Sequence, residues 1–250
     1  MAALDSAVRS LAARERVLVL SGVVVVTALG AAYLFAWHPG LATAWNGGEA
    51  WLVFAMWAAM MVAMMTPGAA PMLLAFARLS RGRGDGEPGG LALPAFLGGY
   101  LAVWTGFSAV AALAHWGLHA VELLSPDMVI ANPVASGILL LSAGAYQLTP
   151  FKTACLAKCR TPMGFLFGEW RDGSAGAFVM GVRHGAYCVG CCWLLMALLF
   201  VGGVMSPFWI VVLTLIAMAE RILPHGESVA HGVAAGAIGW GLWMLAGMLV

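Results

Sequence analysis

The sequence predicts an all-α fold, a polytopic bundle of about seven transmembrane helices forming a single domain over residues 1–250, and three observations carry that prediction. First, 62% of the residues are hydrophobic and only 9% are charged, whereas a soluble domain carries about 25% charged residues. Second, the apolar residues fall in runs long enough for a helix to cross the hydrocarbon core, which needs about 20 residues. Third, the basic residues occupy alternate interruptions. Arg9, Arg14 and Arg16 precede the first run, and Arg78, Arg81 and Arg83 follow the second. Lys152, Lys158, Arg160 and Arg171 lie between the fourth and fifth, Arg183 opens the fifth, and Arg221 ends the sixth. The stretches around 38–49, 117–127 and 202–207 hold no Lys or Arg. With seven spans every basic residue lands on one side, so the positive-inside rule places the N-terminus in the cytoplasm and the C-terminus outside. The net charge of +1 gives no basis for a nucleic-acid partner; the lipid bilayer is the partner this composition demands.

The first span, about 17–37, is valine-rich and carries no chemistry; it reads as a retained helix and not as a cleaved signal peptide. The second, about 50–76, holds Met56, Met60, Met61, Met64, Met65 and Met72. On a helical wheel these share one half with Trp57, while Ala55, Ala58, Ala59, Val62, Ala63, Thr66, Ala69 and Ala70 form a small-residue half suited to close packing. Thr66-Pro67-Gly68 and Pro71 are expected to kink or unwind its cytoplasmic half. Residues 77–92 read as a flexible cytoplasmic linker, rich in Gly around Arg81–Gly90.

The third span, about 94–116, ends near His115 and His119, and the fourth covers about 128–149. Residues 150–174 read as a cytoplasmic interfacial loop in which Cys155 and Cys159 are four apart, one above the other on any short helix. Spans five, six and seven cover about 175–201, 208–222 and 230–249. Gly232, Gly236, Gly239 and Gly241 in the last would let a neighbouring backbone approach closely. No repeat is visible, which counts against a transporter built from inverted repeats.

The chemistry concentrates in Gly181-Val-Arg-His-Gly-Ala-Tyr-Cys-Val-Gly-Cys-Cys-Trp193. At 100° per residue, His184, Cys188, Cys191 and Cys192 fall within an arc of roughly 100°, with Met180 beside it. Ionisable side chains inside a membrane are costly and mark function, and thiolate, thioether and imidazole together select soft metals, Cu(I) above all. The expected metal ligands are therefore His184, Cys188, Cys191 and Cys192, with Met60, Met61, Met64 and Met65 facing them from the second span. Cys155 and Cys159 are expected to form a separate cytoplasmic delivery or release site. On the opposite side His38, Glu49, His115, His119, Glu122 and Asp127 share a depth and could capture a divalent ion. Glu220 is expected to pair with Arg221 or Arg183. The odd number of cysteines, two of them on a reducing side, argues against a structural disulfide framework.

Three blocks, Trp57-Ala-Ala-Met-Met-Val-Ala-Met-Met-Thr-Pro67, Tyr146-Gln-Leu-Thr-Pro-Phe-Lys-Thr-Ala-Cys-Leu-Ala-Lys-Cys-Arg160 and Gly181–Trp193, resemble the predicted metal-binding integral membrane proteins of bacteria grouped as domain of unknown function 2182. The resemblance covers about residues 50–225 and extends to Leu195-Met196, Met205 and Glu220. It implies a multi-pass helical protein of the bacterial inner membrane with a metal role and no established reaction.

The reading that follows is a membrane-embedded soft-metal protein that acquires, transfers or inserts Cu(I), with a metal chaperone or a membrane enzyme complex as its protein partner. No phosphate-binding loop and no acylphosphate motif is present, so any transport would be passive, coupled to another gradient or run by a partner; an enzyme is the less favoured class, although a metal cage with an open position can be catalytic. The alternatives are a membrane thiol–disulfide oxidoreductase using Cys155 and Cys159, or an accessory subunit of a membrane complex. Zinc and haem stand as alternatives to copper.

Overall fold

The computed structural model describes residue 17 and residues 19–32, 50–82, 91–125 and 128–247. Among these residues the chain is helical throughout, with no strand beyond a single isolated bridge between Leu124 and Ile130. The helices are α1 (Val19–Ala32), α2 (Ala50–Gly82), α3 (Ala92–Ala120), α4 (Pro133–Gln147), α5 (Pro150–Arg160), α6 (Pro162–Glu169), α7 (Gly173–Ala197), α8 (Leu199–Gly202), α9 (Pro207–Ile222) and α10 (Gly226–Ala246).

Four of them, α2, α3, α7 with its continuation α8, and α10, are long and apolar enough to cross a membrane. The sequence expectation of seven spans is not reached by this measure. The described part of α1 ends at Ala32, and α9 has 16 residues between Ser206 and Leu223. The fourth expected span is interrupted: α4 stops at Gln147, and the chain turns by 63° into α5. The cause is local. Thr149 is extended, its side chain accepts from the Lys152 N–H, and Pro150 takes the first helical position, where a missing N–H costs nothing. The same device, Pro162 at the start of α6, makes the expected interfacial loop 150–174 mostly helical. The expected linker 77–92 is shorter than predicted, because α2 continues to Gly82 and α3 begins at Ala92; residues 83–90 lie outside the described residues.

Two pairs of helices set the frame. α3 and α7 touch backbone to backbone: a Cβ on Gly99 would overlap the Phe178 carbonyl, and one on Gly181 would overlap that of Phe96. α4 and α10 meet at Gly137 and Gly241, where a Cβ on Gly241 would lie 2.9 Å from the Gly137 carbonyl oxygen. Of the four glycines expected to admit a neighbour in the last helix, Gly232, Gly236 and Gly239 face open space, and only Gly241 does so.

α2 sits between α1, α3 and α9. Its methionine half is the core side: Met56, Met60, Met61, Met64, Met65 and Met72 are all buried. Its small-residue half receives α1, with Gly30 against Ala59 and Ala63. The expected unwinding at Pro67 and Pro71 is absent, for both lie inside a continuous helix. Packing on both sides holds the backbone, and the Thr66 hydroxyl donates back to the Val62 carbonyl at 2.6 Å.

Candidate metal centre

The helical period of α7 puts His184, Cys188, Cys191, Cys192 and Leu195 on its buried face, as the 100° spacing predicts. Around that stripe four elements contribute. Cys191 and Cys192 thiols donate to the Cys188 carbonyl at 3.1 and 3.0 Å, which folds both sulfurs back toward Cys188. The Tyr100 hydroxyl of α3 donates to the Met65 carbonyl at 3.0 Å and lies 3.2 Å from Cys188 Sγ. It thereby ties α2, α3 and α7 together at one point.

The largest departure from expectation concerns α5. Cys155 and Cys159 sit against α7 and not apart from it. Cys159 faces the thiols of Cys188 and Cys191 and interacts with them electrostatically, and Cys192 adjoins the same group. Cys155 packs on the α7 backbone, its Sγ only 2.8 Å from where a Cβ on Gly190 would stand. The Tyr146 hydroxyl of α4 donates to the Gly190 carbonyl beside it. The bend between α4 and α5 is what carries these sulfurs inward. All five cysteines are free thiols.

Arg221, from the last turn of α9, closes the cluster. Its Nη2 donates to Cys192 Sγ at 2.9 Å, to Met65 Sδ at 3.6 Å and to Cys191 Sγ at 3.9 Å. Its Nε and Nη1 are buried and have no hydrogen-bond partner. Glu220, expected to pair with Arg221 or Arg183, does neither. It accepts from Lys152 Nζ at 2.7 Å and from Gln147 Nε2 at 2.8 Å, and Lys152 also donates to Gln147. Arg183 pairs with Glu169 instead. Successive residues on a helix point about 100° apart, so Glu220 and Arg221 serve different neighbours.

The remaining expected ligands divide. Met65 reaches the cluster through Arg221, whereas Met60 and Met61 are buried in the core about one turn back along α2, and Met64, about 100° round the helix from Met65, lines an apolar cleft with Met205, Thr27 and Thr214. His184 is beside the sulfurs but boxed by rings: it stacks on Tyr100 at 5.6 Å and meets Phe96 and Phe165 at 6.1 and 5.6 Å. Its Nδ1 has no hydrogen-bond partner. Of the expected outer cluster, His38, Glu49 and Asp127 lie outside the described residues, and His115 Nδ1 accepts from Trp57 Nε1 at 3.2 Å. Among the described residues no three His, Cys, Asp or Glu side chains form a ready ligand set.

Tyr100, Lys152 and Arg221 were not among the residues singled out by spacing. The signal for Arg221 was present: it is a charge closing an otherwise apolar run, and such a residue needs a partner inside the protein.

The donors fit copper. Buried sulfurs gathered at one place are the donors that soft metal ions favour, and a guanidinium directed at them supplies positive charge beside the cluster. No curated protein and no solved structure matches the chain. The sequence itself places it, for the model of one family matches residues 54–244 and takes in all five cysteines, Met65, Tyr100 and Arg221: the chain belongs to the PpoB2 copper chaperone family.

Proposed function

We propose that this protein is a membrane-embedded Cu(I) carrier that holds the ion between thiols of α5 and α7 and passes it to a partner protein. The observation that supports it most is the convergence of Cys159 with Cys188, Cys191 and Cys192, beside Met65 and Arg221. Two thiolates suffice for Cu(I), so a pair drawn from Cys159, Cys188, Cys191 and Cys192 is the expected ligand set, with Met65 and His184 as neighbours able to join. Copper here is cargo. The row Met60, Met61 and Met64 supplies soft sulfur along α2 toward the other end of the bundle.

In this reading the bilayer is the bacterial inner membrane. Its basic loops lie in the cytoplasm, with the N-terminus inside, the C-terminus outside, and the chain crossing about seven times. α1, the bent pair α4 and α5, and α9 then complete crossings that the four long helices do not account for. A reporter fused to the C-terminus tests the topology: cytoplasmic activity rejects it.

The decisive experiment is elemental analysis of the detergent-purified chain, alone and as Cys159→Ser, Cys188→Ser, Cys191→Ser and Cys192→Ser. Copper near one equivalent, lost when members of the cluster are removed, supports the reading. Metal content unchanged in every variant rejects it. A second reading, thiol–disulfide exchange, is favoured by one contact, that of Cys159 with Cys188 and Cys191. It predicts a Cys159 disulfide after mild oxidation, visible as a mass loss of two hydrogens and blocked by Cys159→Ser.

A further inference from the structure

We propose that Arg221 is the resident counter-ion of the sulfur cluster, so that the metal–thiolate assembly it accepts carries a net charge of minus one. The inference rests on the copper reading and adds to it a residue that binds no metal. Arg221 is buried, 7% exposed, and a guanidinium does not give up its proton in a protein. A buried cation needs a compensating anion. The nearest carboxylate in sequence, Glu220, is engaged by Lys152 and Gln147, and among the described residues no carboxylate pairs with Arg221. Its only hydrogen-bond acceptors there are sulfur: Cys192, Met65 and Cys191.

The bundle is shaped to admit this charge. A Cβ on Gly68 would stand 2.7 Å from Arg221 Nη1, so the side chain passes α2 where that helix carries no side chain. Two thiolates and one Cu(I) sum to minus one, and with Arg221 the buried assembly is neutral. Two thiolates and one Hg(II), bound in the same linear manner, are neutral without it. Counted from two neutral thiols, at a separation of about 5 Å and an effective dielectric constant of about 20, removing the guanidinium costs the Cu(I) complex on the order of 100-fold in affinity. The Hg(II) complex loses nothing.

The test compares the two ions on the full chain in detergent, by competition with chromophoric chelators, for wild type, Arg221→Met, Arg221→Gln and Arg221→Lys. Expected are a fall of about 100-fold for Cu(I) in the Met and Gln variants with Hg(II) unchanged, and recovery of most of the Cu(I) affinity in the Lys variant. Cu(I) and Hg(II) falling together would make Arg221 a scaffold and overturn the proposal, as would Cu(I) binding unchanged in the neutral variants. Should those variants fail to fold, Gly68→Ala displaces Nη1 while leaving every sulfur and charge in place. It must weaken Cu(I) more than Hg(II), and equal effects overturn the proposal. Wild type that binds Hg(II) but no Cu(I) sinks the copper reading itself, a result distinct from Cu(I) binding that ignores residue 221.

Discussion

Glu220 and Arg221 are neighbours on one helix, both buried, yet they sit in opposite kinds of site. Glu220 belongs to a completed unit: a carboxylate, an ammonium and an amide, each satisfied by the others. Arg221 belongs to an incomplete one, with two donor nitrogens unspent and only sulfur to meet the third. A finished network is architecture, because every member has what it needs without a ligand. An unfinished one, lined with soft donors, is where a ligand has something to add.

The comparison can be broken at either half. Its largest expected effect comes from Lys152→Met, which strands the Glu220 carboxylate in the interior. We expect a loss of about 3–5 kcal/mol, read as a lower thermal unfolding midpoint in detergent, with Cu(I) affinity of the surviving folded protein unchanged. A copper defect in that variant would erase the distinction between the two sites. Cys159→Ser should do the reverse: stability changes by about 1 kcal/mol or less, while Cu(I) affinity falls by at least about 10-fold, measured by chelator competition. Tyr100→Phe removes the hydroxyl shared by the Met65 carbonyl and Cys188 Sγ. It should cost about 1 kcal/mol of stability and shift Cu(I) affinity by less than Cys159→Ser does. The smallest effect belongs to Arg183→Ala, whose ion pair with Glu169 is partly exposed. Below about 0.5 kcal/mol is expected, with copper binding intact, and a larger loss would mean that the pair belongs to the buried network.

Much of this molecule was legible in its sequence. The helical class followed from composition, and the buried stripe of α7 followed from spacing, because both are local properties. The joining of Cys159 to that stripe was not legible. It depends on the 63° turn at Leu148-Thr149-Pro150, and a proline there reads equally as the end of a span and as the first residue of a new helix. The same ambiguity turned residues 150–174 into an expected loop. The partner of Glu220 was misassigned because sequence offers several cations and no distances; Lys152, assigned to a headgroup-level loop, proved to be buried. The methionine row is legible in the spacing, but spacing alone does not show that Met65 meets the guanidinium of Arg221.

Where Gly99 and Gly181 bring α3 and α7 into backbone contact, the wall carrying Cys188, Cys191 and Cys192 is braced along its length by a second long helix. The opposite wall, α5, is an 11-residue helix joined to α4 through two residues. Lys152 of that helix is held by Glu220 of α9, so any parting of the two walls would have to break a buried ion pair as well as turn at Leu148-Thr149.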